Sequence, residues 1–262
     1  MFLRLKNAQP YEQETEMKNT VLYLMIGCLL AALPGQALAV DGNALLRQVD
    51  ANLQPESYEM YRKLINIEPD GRKKEFVFYT AKKGKDRMVA LFLSPASEKG
   101  RVSLRIGDNM WLYIPNVGKP IRITSLQSVV GGVFNNSDIL RLDFHVEYDV
   151  AAVIDQGDTW SLELQAKTRA VAYDRLKMTV DKKTVQPLDI QCFASSGMLI
   201  KTLHYSDIKD LGDGVVRPAK LITDSPLHKG YRSVMIFAKI KKREFDDEVF
   251  SLEFMPRVDE LR

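Results

Sequence analysis

Short apolar segments separated by turn residues run through most of this chain and constrain its fold more than any other feature. Residues 58–68 end at Pro69-Asp70-Gly71, and residues 102–106 end at Gly107-Asp108-Asn109. Segments at this spacing, with turn residues between them, predict antiparallel strand pairing. Strand and helix patterns do not alternate along the chain, so a parallel α/β enzyme fold is not expected.

The alternation of apolar and polar residues shows which strands have one solvent-exposed face. Trp160, Leu162, Leu164, Leu176 and Met178 each alternate with polar residues, as an antiparallel sheet with a solvated back requires. The whole series gives about eleven strands with no linker or repeat between them. The sequence therefore predicts one mainly β (α+β) domain built on a single large curved sheet.

The segment from Met110 to Phe144 marks the centre of the series. Its first strand, residues 110–114, is apolar at every position, so it needs cover on both faces. A loop, a second strand and a short helix follow. We interpret this segment as the mobile rim of an apolar interior.

Helical spacing occurs near position 40 and is ambiguous near the C-terminus. Asp41 can cap a helix in which Leu45, Val49 and Leu53 repeat at helical spacing. Residues 246–252 are compatible with a short helix, because acidic residues fall in its first turn, and residues 249–254 are equally compatible with a last edge strand.

The N-terminal residues resemble an export signal. Met17-Lys18 precedes an uncharged run over residues 21–33 and an Ala37-Leu38-Ala39 site, which predicts cleavage after Ala39. The run is shorter than the roughly 18 residues that span a bilayer. The sequence thus predicts residues 1–39 as a signal peptide, with residues 1–16 upstream of a true start at Met17, and residues 40–262 as a periplasmic domain.

The cysteines and the charge distribution argue against a lipoprotein, a disulfide-bonded domain and a nucleic-acid-binding protein. Met25-Ile26-Gly27-Cys28 is a poor lipobox, because Met is unusual at its first position, so lipidation of Cys28 is the weaker alternative. Cys192 remains after cleavage and lies among apolar residues, which indicates a buried inert thiol without a disulfide. The net charge of +3 comes from interspersed charges, and this pattern does not suggest a nucleic-acid partner.

No catalytic or metal-binding motif emerges from the sequence. The histidines at 145, 204 and 228 have no ligand at a recognisable spacing, and G-x-S-x-G is missing. Ser195-Ser196-Gly197 is interpreted as a turn. We therefore expect neither a cofactor nor enzymatic activity.

The central segment resembles the outer-membrane lipoprotein-sorting protein family, whose relatives include the LolA-like periplasmic carriers. The resemblance rests on Trp111, Tyr113 and Pro115 at a strand end, on the return strand 119–123, and on Ser137-Asp138 after Gly132 and Phe134. Tyr148-Asp149 on the next strand completes the pattern. Arg141-Leu142-Asp143 departs from the family, which usually has an acidic residue before its Asp-Leu step.

This resemblance implies a half-open antiparallel barrel whose concave face is covered by short helices and encloses acyl chains. It implies a monomeric carrier of lipoproteins or lipids, from an inner-membrane transporter of the resistance-nodulation-division type or a lipoprotein-releasing complex to an outer-membrane acceptor. A sensor that binds lipid in the same fold is the alternative, and a lipid hydrolase is less favoured.

The candidate site residues fall into two groups. The expected cavity lining is Phe76, Phe78, Leu91, Leu93, Met110, Trp111, Leu112, Tyr113, Ile114, Trp160, Leu162, Leu164, Leu176, Met178, Met235 and Phe237. The expected rim or lid is Pro115, Gly118, Lys119, Arg122, Gly131, Gly132, Phe134 and Arg141. Which face of residues 110–114 lines the cavity is left open by the sequence.

Overall fold

The computed structural model describes residues 40–262, which form one antiparallel sheet of thirteen strands. The predicted leader, residues 1–39, lies outside the described residues. The strands are β1 Tyr58–Ile67, β2 Lys73–Lys83, β3 Arg87–Ser94, β4 Val102–Ile106, β5 Asn109–Tyr113, β6 Ile121–Ile123, β7 Tyr148–Asp155, β8 Thr159–Ala166, β9 Arg175–Asp181, β10 Gln186–Phe193, β11 Leu199–Asp210, β12 Val216–Asp224 and β13 Arg232–Lys242.

The strand order follows from hairpins that extend in both directions from the middle of the sheet. The order is β6-β5-β4-β3-β2-β1-β13-β12-β11-β10-β9-β8-β7, and β1 pairs with β13 through partners such as Leu64 and Met235. The two edge strands β6 and β7 do not pair with each other, so the sheet stays open. The expected fold class is confirmed, with thirteen strands in place of about eleven.

Within residues 40–262, three α-helices pack with the sheet: α1 Gly42–Leu53, α2 Asn136–Ile139 and α3 Phe144–Glu147. The predicted cap is confirmed, because Asp41 accepts a hydrogen bond from the Ala44 amide at 3.0 Å. Helix α3 directly precedes β7, which begins at Tyr148. Asp50 accepts the backbone amides of Phe144 and His145, and these bonds stabilise the helical turn.

Two apolar clusters lie on opposite faces of the sheet. The first, the inner cluster, contains apolar side chains from α1, α2 and α3 together with one face of most strands. The second, the outer cluster, contains the other face of β2, β3 and β4 with Phe245, Val249, Phe250, Phe254, Met255 and Val258. The C-terminal residues that cover this face form 3₁₀ helices at Asp247–Phe250 and Met255–Leu261, so the edge-strand alternative is wrong.

The sheet is strongly curved around the inner cluster. Arg105 on β4 and Lys201 on β11 are six strands apart in the sheet, which corresponds to about 29 Å in a flat sheet. Their side chains nevertheless bond to Leu140 and Asp138, only two residues apart in the chain. Only a curved sheet brings these strands to the same short segment.

The C-terminal cover is anchored through Glu59 on β1. Arg243 donates to the Glu59 carboxylate at 2.6 Å and to the Leu261 carbonyl at 2.6 Å, and the Tyr79 hydroxyl also donates to Glu59. Burial opposes ionisation of Glu59, but the hydrogen bonds from Arg243 and Tyr79 outweigh it and lower the pKa of this carboxyl.

We expect Glu59→Gln to lower the free energy of unfolding by about 1–2 kcal/mol at neutral pH. Because the pKa of Glu59 is lower in the folded state, its ionised form contributes stability above the ordinary carboxyl range and loses it as the pH falls through the folded pKa. The variant should therefore lose less stability on acidification than the native chain in urea unfolding. The exposed pair of Glu248 and Arg257 provides the control: Glu248→Gln should cost below about 0.5 kcal/mol. Equal costs for both variants would contradict this anchor.

Candidate functional site

Residues 129–147, the crossing segment, lie against the concave face of the sheet and carry both α2 and α3. Every residue from Val133 to Leu140 is buried. At the start of α2, the Asn135 side chain accepts the Asp138 amide while the Asp138 carboxylate accepts the Asn135 amide. This reciprocal capping box explains why a helix of one turn forms here.

Two arginines of the sheet hold one half of the crossing segment. Arg62 on β1 donates to the Ile139 carbonyl at 2.9 Å. Arg105 on β4 donates to the Leu140 carbonyl at 3.2 Å and to Glu147 at 2.5 Å. The carbonyls at Ile139 and Leu140 end α2, so both guanidiniums bond where a helix has unpaired acceptors.

A lysine on β11 holds the other half. Lys201 donates to the Val133 carbonyl at 2.9 Å and forms an ion pair with Asp138. The side chains of Lys201 and Asp138 are only 3% and 1% exposed, so this pair is fully buried. Tyr173 and Asn135 complete the network, since the Asn135 amide donates to the Tyr173 hydroxyl and that hydroxyl donates to Asp138.

Helix α1 contributes an acidic contact to the same segment. The Asp50 carboxylate accepts the Phe144 amide at 2.7 Å and the His145 amide at 2.9 Å, and it contacts His145 Nδ1 at 2.9 Å. Burial raises the pKa of Asp50, while its hydrogen bonds with His145 act in the opposite direction. A further ion pair joins Lys82 on β2 to Asp143 at 3.1 Å.

A small cavity lies between the crossing segment, α1 and the sheet. Its volume is about 30 Å³, room for about two water molecules. Its lining combines apolar side chains with charged ones. The lining residues are Asp50, Leu53, Gln54, Arg62, Asp138, Arg141, Leu142, Phe144, Tyr205, Arg217, Leu221 and Phe237. A second cavity of about 10 Å³ shares Asp138, Arg141 and Phe144 with the first.

Two side chains around these cavities, Arg141 and Cys192, have shifted pKa values. Burial disfavours the charge of Arg141, but Tyr205 and Asp138 outweigh it and raise the pKa of this guanidinium. Burial raises the pKa of the Cys192 thiol to about 12. The thiol therefore stays protonated at neutral pH, which agrees with the interpretation of Cys192 as an inert core residue.

The structure brings ten of the sixteen expected lining residues together in or against the inner cluster. These are Phe76, Phe78, Met110, Trp160, Leu162, Leu164, Leu176, Met178, Met235 and Phe237. Leu112 is buried, and strand alternation puts it on the same face of β5 as Met110. Ile114 directly follows β5 and is half-buried.

The other four residues face away from this interior. Leu91 belongs to the outer cluster, and Leu93, Trp111 and Tyr113 pack against it. Their assignment to the cavity is corrected: apolar residues on both faces of β3 and β5 require cover on both faces, and the C-terminal 3₁₀ helices cover this one. The open question about residues 110–114 is thereby answered, with Met110 inside and Trp111 outside.

The expected rim residues also divide into two places. Pro115, Gly118, Lys119 and Arg122 are exposed on the loop and edge strand after β5, and the Arg122 guanidinium lies 5.8 Å from the ring centre of Trp111 on the outer face. They do not border the cavity.

The remaining rim residues, Gly131, Gly132, Phe134 and Arg141, belong to the crossing segment. A side chain at Gly132 would meet Asn66 of β1, because a Cβ there would lie 2.5 Å from Asn66 Cγ. Gly132 thus permits close approach of the segment to the sheet, whereas Gly131 adopts a positive φ of 71°.

Sequence reasoning missed the buried basic residues that hold the interior together. These are Arg62, Lys82, Arg105, Lys201 and Arg217. Strand alternation in the sequence could have revealed these residues. Arg62, for example, occupies an inward position of β1 between Met60 and Leu64, both of which are buried. A charged residue in an inward position has to be paired or hydrogen-bonded.

Residues 40–262 contain no helix that is long and apolar enough to cross a membrane. Over the same residues, no group of three or more His, Cys, Asp or Glu side chains is arranged to hold a metal ion.

This geometry defines a class of fold: an open, curved antiparallel sheet whose concave face is closed by a segment held through buried polar contacts. A family model described as an uncharacterized protein matches residues 84–257. A LolA superfamily protein from Nitrosomonas europaea is 26% identical, with a TM-score of 0.75 over 82% of this chain and 100% of that chain. The chain belongs to the family of that model, and its similarity to the LolA superfamily protein confirms the resemblance found in the sequence.

Two further solved structures share the fold. An outer membrane lipoprotein-sorting protein domain from Vibrio parahaemolyticus is 16% identical, with a TM-score of 0.70 over 82% of this chain and 98% of that one. A DUF1329 family protein from Desulfovibrio piger is 22% identical, with a TM-score of 0.70 over 82% and 97%. No curated protein sequence matches the chain.

The buried ion pair of Asp138 and Lys201 gives a direct test of the network. Asp138→Asn leaves a buried ammonium unpaired and should lower the free energy of unfolding by about 3–5 kcal/mol. The double variant Asp138→Asn/Lys201→Met should cost less than the single one, because it removes the unpaired charge. Urea unfolding measures both. The exposed pair of Asp207 and Lys209 serves as control, and a single-variant cost as small as that of Asp207→Asn would contradict the assigned pairing.

Proposed function

We propose that this chain is a periplasmic carrier that takes up acyl chains of lipoproteins or lipids between its sheet and its crossing segment. It would deliver them from the inner membrane toward the outer membrane. The single observation that carries this proposal is the enclosed inner cluster, closed on one side by a segment that is held through hydrogen bonds and ion pairs rather than by sheet pairing.

Uptake requires the crossing segment to move. A cavity of about 30 Å³ is far smaller than the roughly 300–1,000 Å³ of typical ligand pockets. Displacing residues 129–147 would uncover the inward faces of Phe134, Leu140 and Leu142, which are buried in the inner cluster. The described structure is therefore the closed state of the proposed carrier.

The contacts that close the interior are suited to exchange. Arg62 and Arg105 bond to backbone carbonyls of the segment, and such hydrogen bonds contribute only about 1–3 kcal/mol each. Lipid chains would meet the released apolar surface. Each methylene removed from water contributes roughly 0.8 kcal/mol, so about a dozen contribute on the order of 10 kcal/mol.

Reversible delivery follows from the same energetics. A membrane gives an acyl chain almost the same apolar surroundings as the interior of the protein, so transfer between them is close to neutral. The carrier then needs no chemical step, and we propose a binding protein without enzymatic activity. Its donor would be an inner-membrane transporter of the resistance-nodulation-division type or a lipoprotein-releasing complex, and its acceptor would lie in the outer membrane.

The mature chain should retain acyl lipid when it is purified from cells under mild conditions. Organic extraction followed by mass spectrometry measures the retained lipid, and a periplasmic protein of another fold prepared in parallel controls for carry-over. Finding no more lipid than in that control would contradict the proposed function.

A disulfide between β1 and the crossing segment should block uptake. The approach of Gly132 to Asn66 brings these positions within the range that a cystine bridges, and Asn66→Cys/Gly132→Cys removes the amide that a Cβ at Gly132 would meet. We expect the oxidised variant to take up a fluorescent fatty acid poorly and to recover after reduction with dithiothreitol.

The matched control for this disulfide is Asn66→Ala/Gly132→Ala under the same oxidant. It has the same two positions changed but cannot form the bridge, and it keeps the native Cys192. Equal uptake by the oxidised cysteine variant and this control would show that ligands enter without movement of the crossing segment.

A further inference from the structure

We propose that Arg62 and Arg217 form a binding site for the oxyanion headgroup, a phosphate or a carboxylate, of an acyl lipid held in the interior. This inference rests on the proposed carrier function and specifies its ligand class. Neither arginine emerged from the sequence as a site residue.

Both guanidiniums are buried without an acidic partner. Arg62 is 5% exposed and Arg217 is 4% exposed. Within residues 40–262, neither forms an ion pair with a carboxylate, whereas the buried Arg105 and Lys201 each do. An uncompensated buried charge is costly, so two such charges in one cavity indicate a site that awaits negative charge.

The present hydrogen-bond partners of these arginines are neutral. Arg62 donates to the Ile139 carbonyl at 2.9 Å and to the Tyr58 hydroxyl at 3.4 Å. Its Nε lacks a hydrogen-bond partner among the described residues. Arg217 donates to the Leu53 carbonyl at 2.5 Å and to the Pro218 carbonyl at 3.3 Å.

A shared aromatic ring fixes the position of the two cations. The Arg217 guanidinium lies 4.4 Å and the Arg62 guanidinium 5.7 Å from the ring centre of Phe237. Burial lowers the pKa of Arg217 to about 10, and the neighbouring charges of Arg62 and Arg141 add to this effect. An anion between the cations would relieve their repulsion.

The acidic residues of the cavity do not neutralise this pair. Asp138 is bound to Lys201, and Asp50 is bound to the amides of Phe144 and His145. The lining holds three guanidiniums against two carboxylates. Asp138 also lies 3.6 Å from Arg141, so Arg62 and Arg217 are the two guanidiniums of this lining without an acidic partner among residues 40–262. Apolar side chains of the same lining, such as Leu221, would meet the start of the acyl chain.

A purely structural role for the arginines makes a different prediction. Arg62 bonds near the end of α2 and Arg217 at the last residue of α1, and an uncharged donor such as glutamine can supply part of these hydrogen bonds. A structural role would make substitutions affect stability and the binding of all ligands alike. An oxyanion site would make them affect the preference for anionic over neutral ligands.

The test compares probes with the same chain on the native protein and on Arg217→Gln and Arg62→Gln. Hexadecyl phosphate and palmitate are the anionic probes, hexadecanol is the neutral probe, and inorganic phosphate is the anion without a chain. Calorimetry measures each affinity. Arg122→Gln is the matched control, because this exposed arginine also lies over an aromatic ring but on the outer face.

We expect the native chain and the Arg122→Gln control to bind the anionic probes about ten- to hundredfold more tightly than hexadecanol. Either interior variant should reduce this preference to below about threefold while still binding hexadecanol. Unfolding curves of the variants establish that they remain folded, and Arg217→Lys, which retains the charge, should restore most of the preference.

Three other outcomes would contradict the proposed oxyanion site, and they can be told apart. Equal binding of anionic and neutral probes by the native chain would overturn the oxyanion site and leave the carrier function intact. Inorganic phosphate binding as tightly as hexadecyl phosphate would show a site for free anions rather than for lipid headgroups. Failure of every acyl probe to bind would overturn the carrier function as well.

Discussion

Buried positive charge on the concave face is the constraint on which the rest of this structure depends. Arginine and lysine side chains inside a curved sheet must find acceptors, and Arg62, Arg105 and Lys201 find them on the crossing segment. Their reach from strands six positions apart fixes the segment against the sheet and thereby closes the inner cluster. The same contacts that satisfy the charges thus determine where the interior can open.

The balance between apolar and polar contacts gives this interior its proposed use. The inner cluster supplies the apolar surface for an acyl chain, while hydrogen bonds of modest strength hold the cover in place. A cover held by hydrophobic packing alone would compete with the ligand for the same surface. This cover packs Phe134, Leu140 and Leu142 into the inner cluster and is also held through carbonyls and ion pairs. It can move without disrupting the sheet, whose ladder of strand pairs is complete without residues 129–147.

Strand alternation and turn residues predicted the fold class, because a period of two and short turns leave few alternatives to an antiparallel sheet. The same reasoning correctly grouped Leu162, Leu164, Leu176 and Met178 on one face. It failed for Leu91 and Trp111, since alternation separates two faces without telling which of them is concave. It also missed Arg62 and Arg217, because charged residues in strands are usually solvated and only the inward register reveals their burial.

A crystal structure of the chain grown with palmitate would test the proposed uptake between sheet and crossing segment, because it shows both the ligand and its cover. We expect an acyl chain between the sheet and residues 129–147, with the crossing segment displaced and the cavity of about 30 Å³ enlarged around the chain. An acyl chain bound only on the outer surface, with the crossing segment still bonded to Arg62, Arg105 and Lys201, would contradict the proposed uptake.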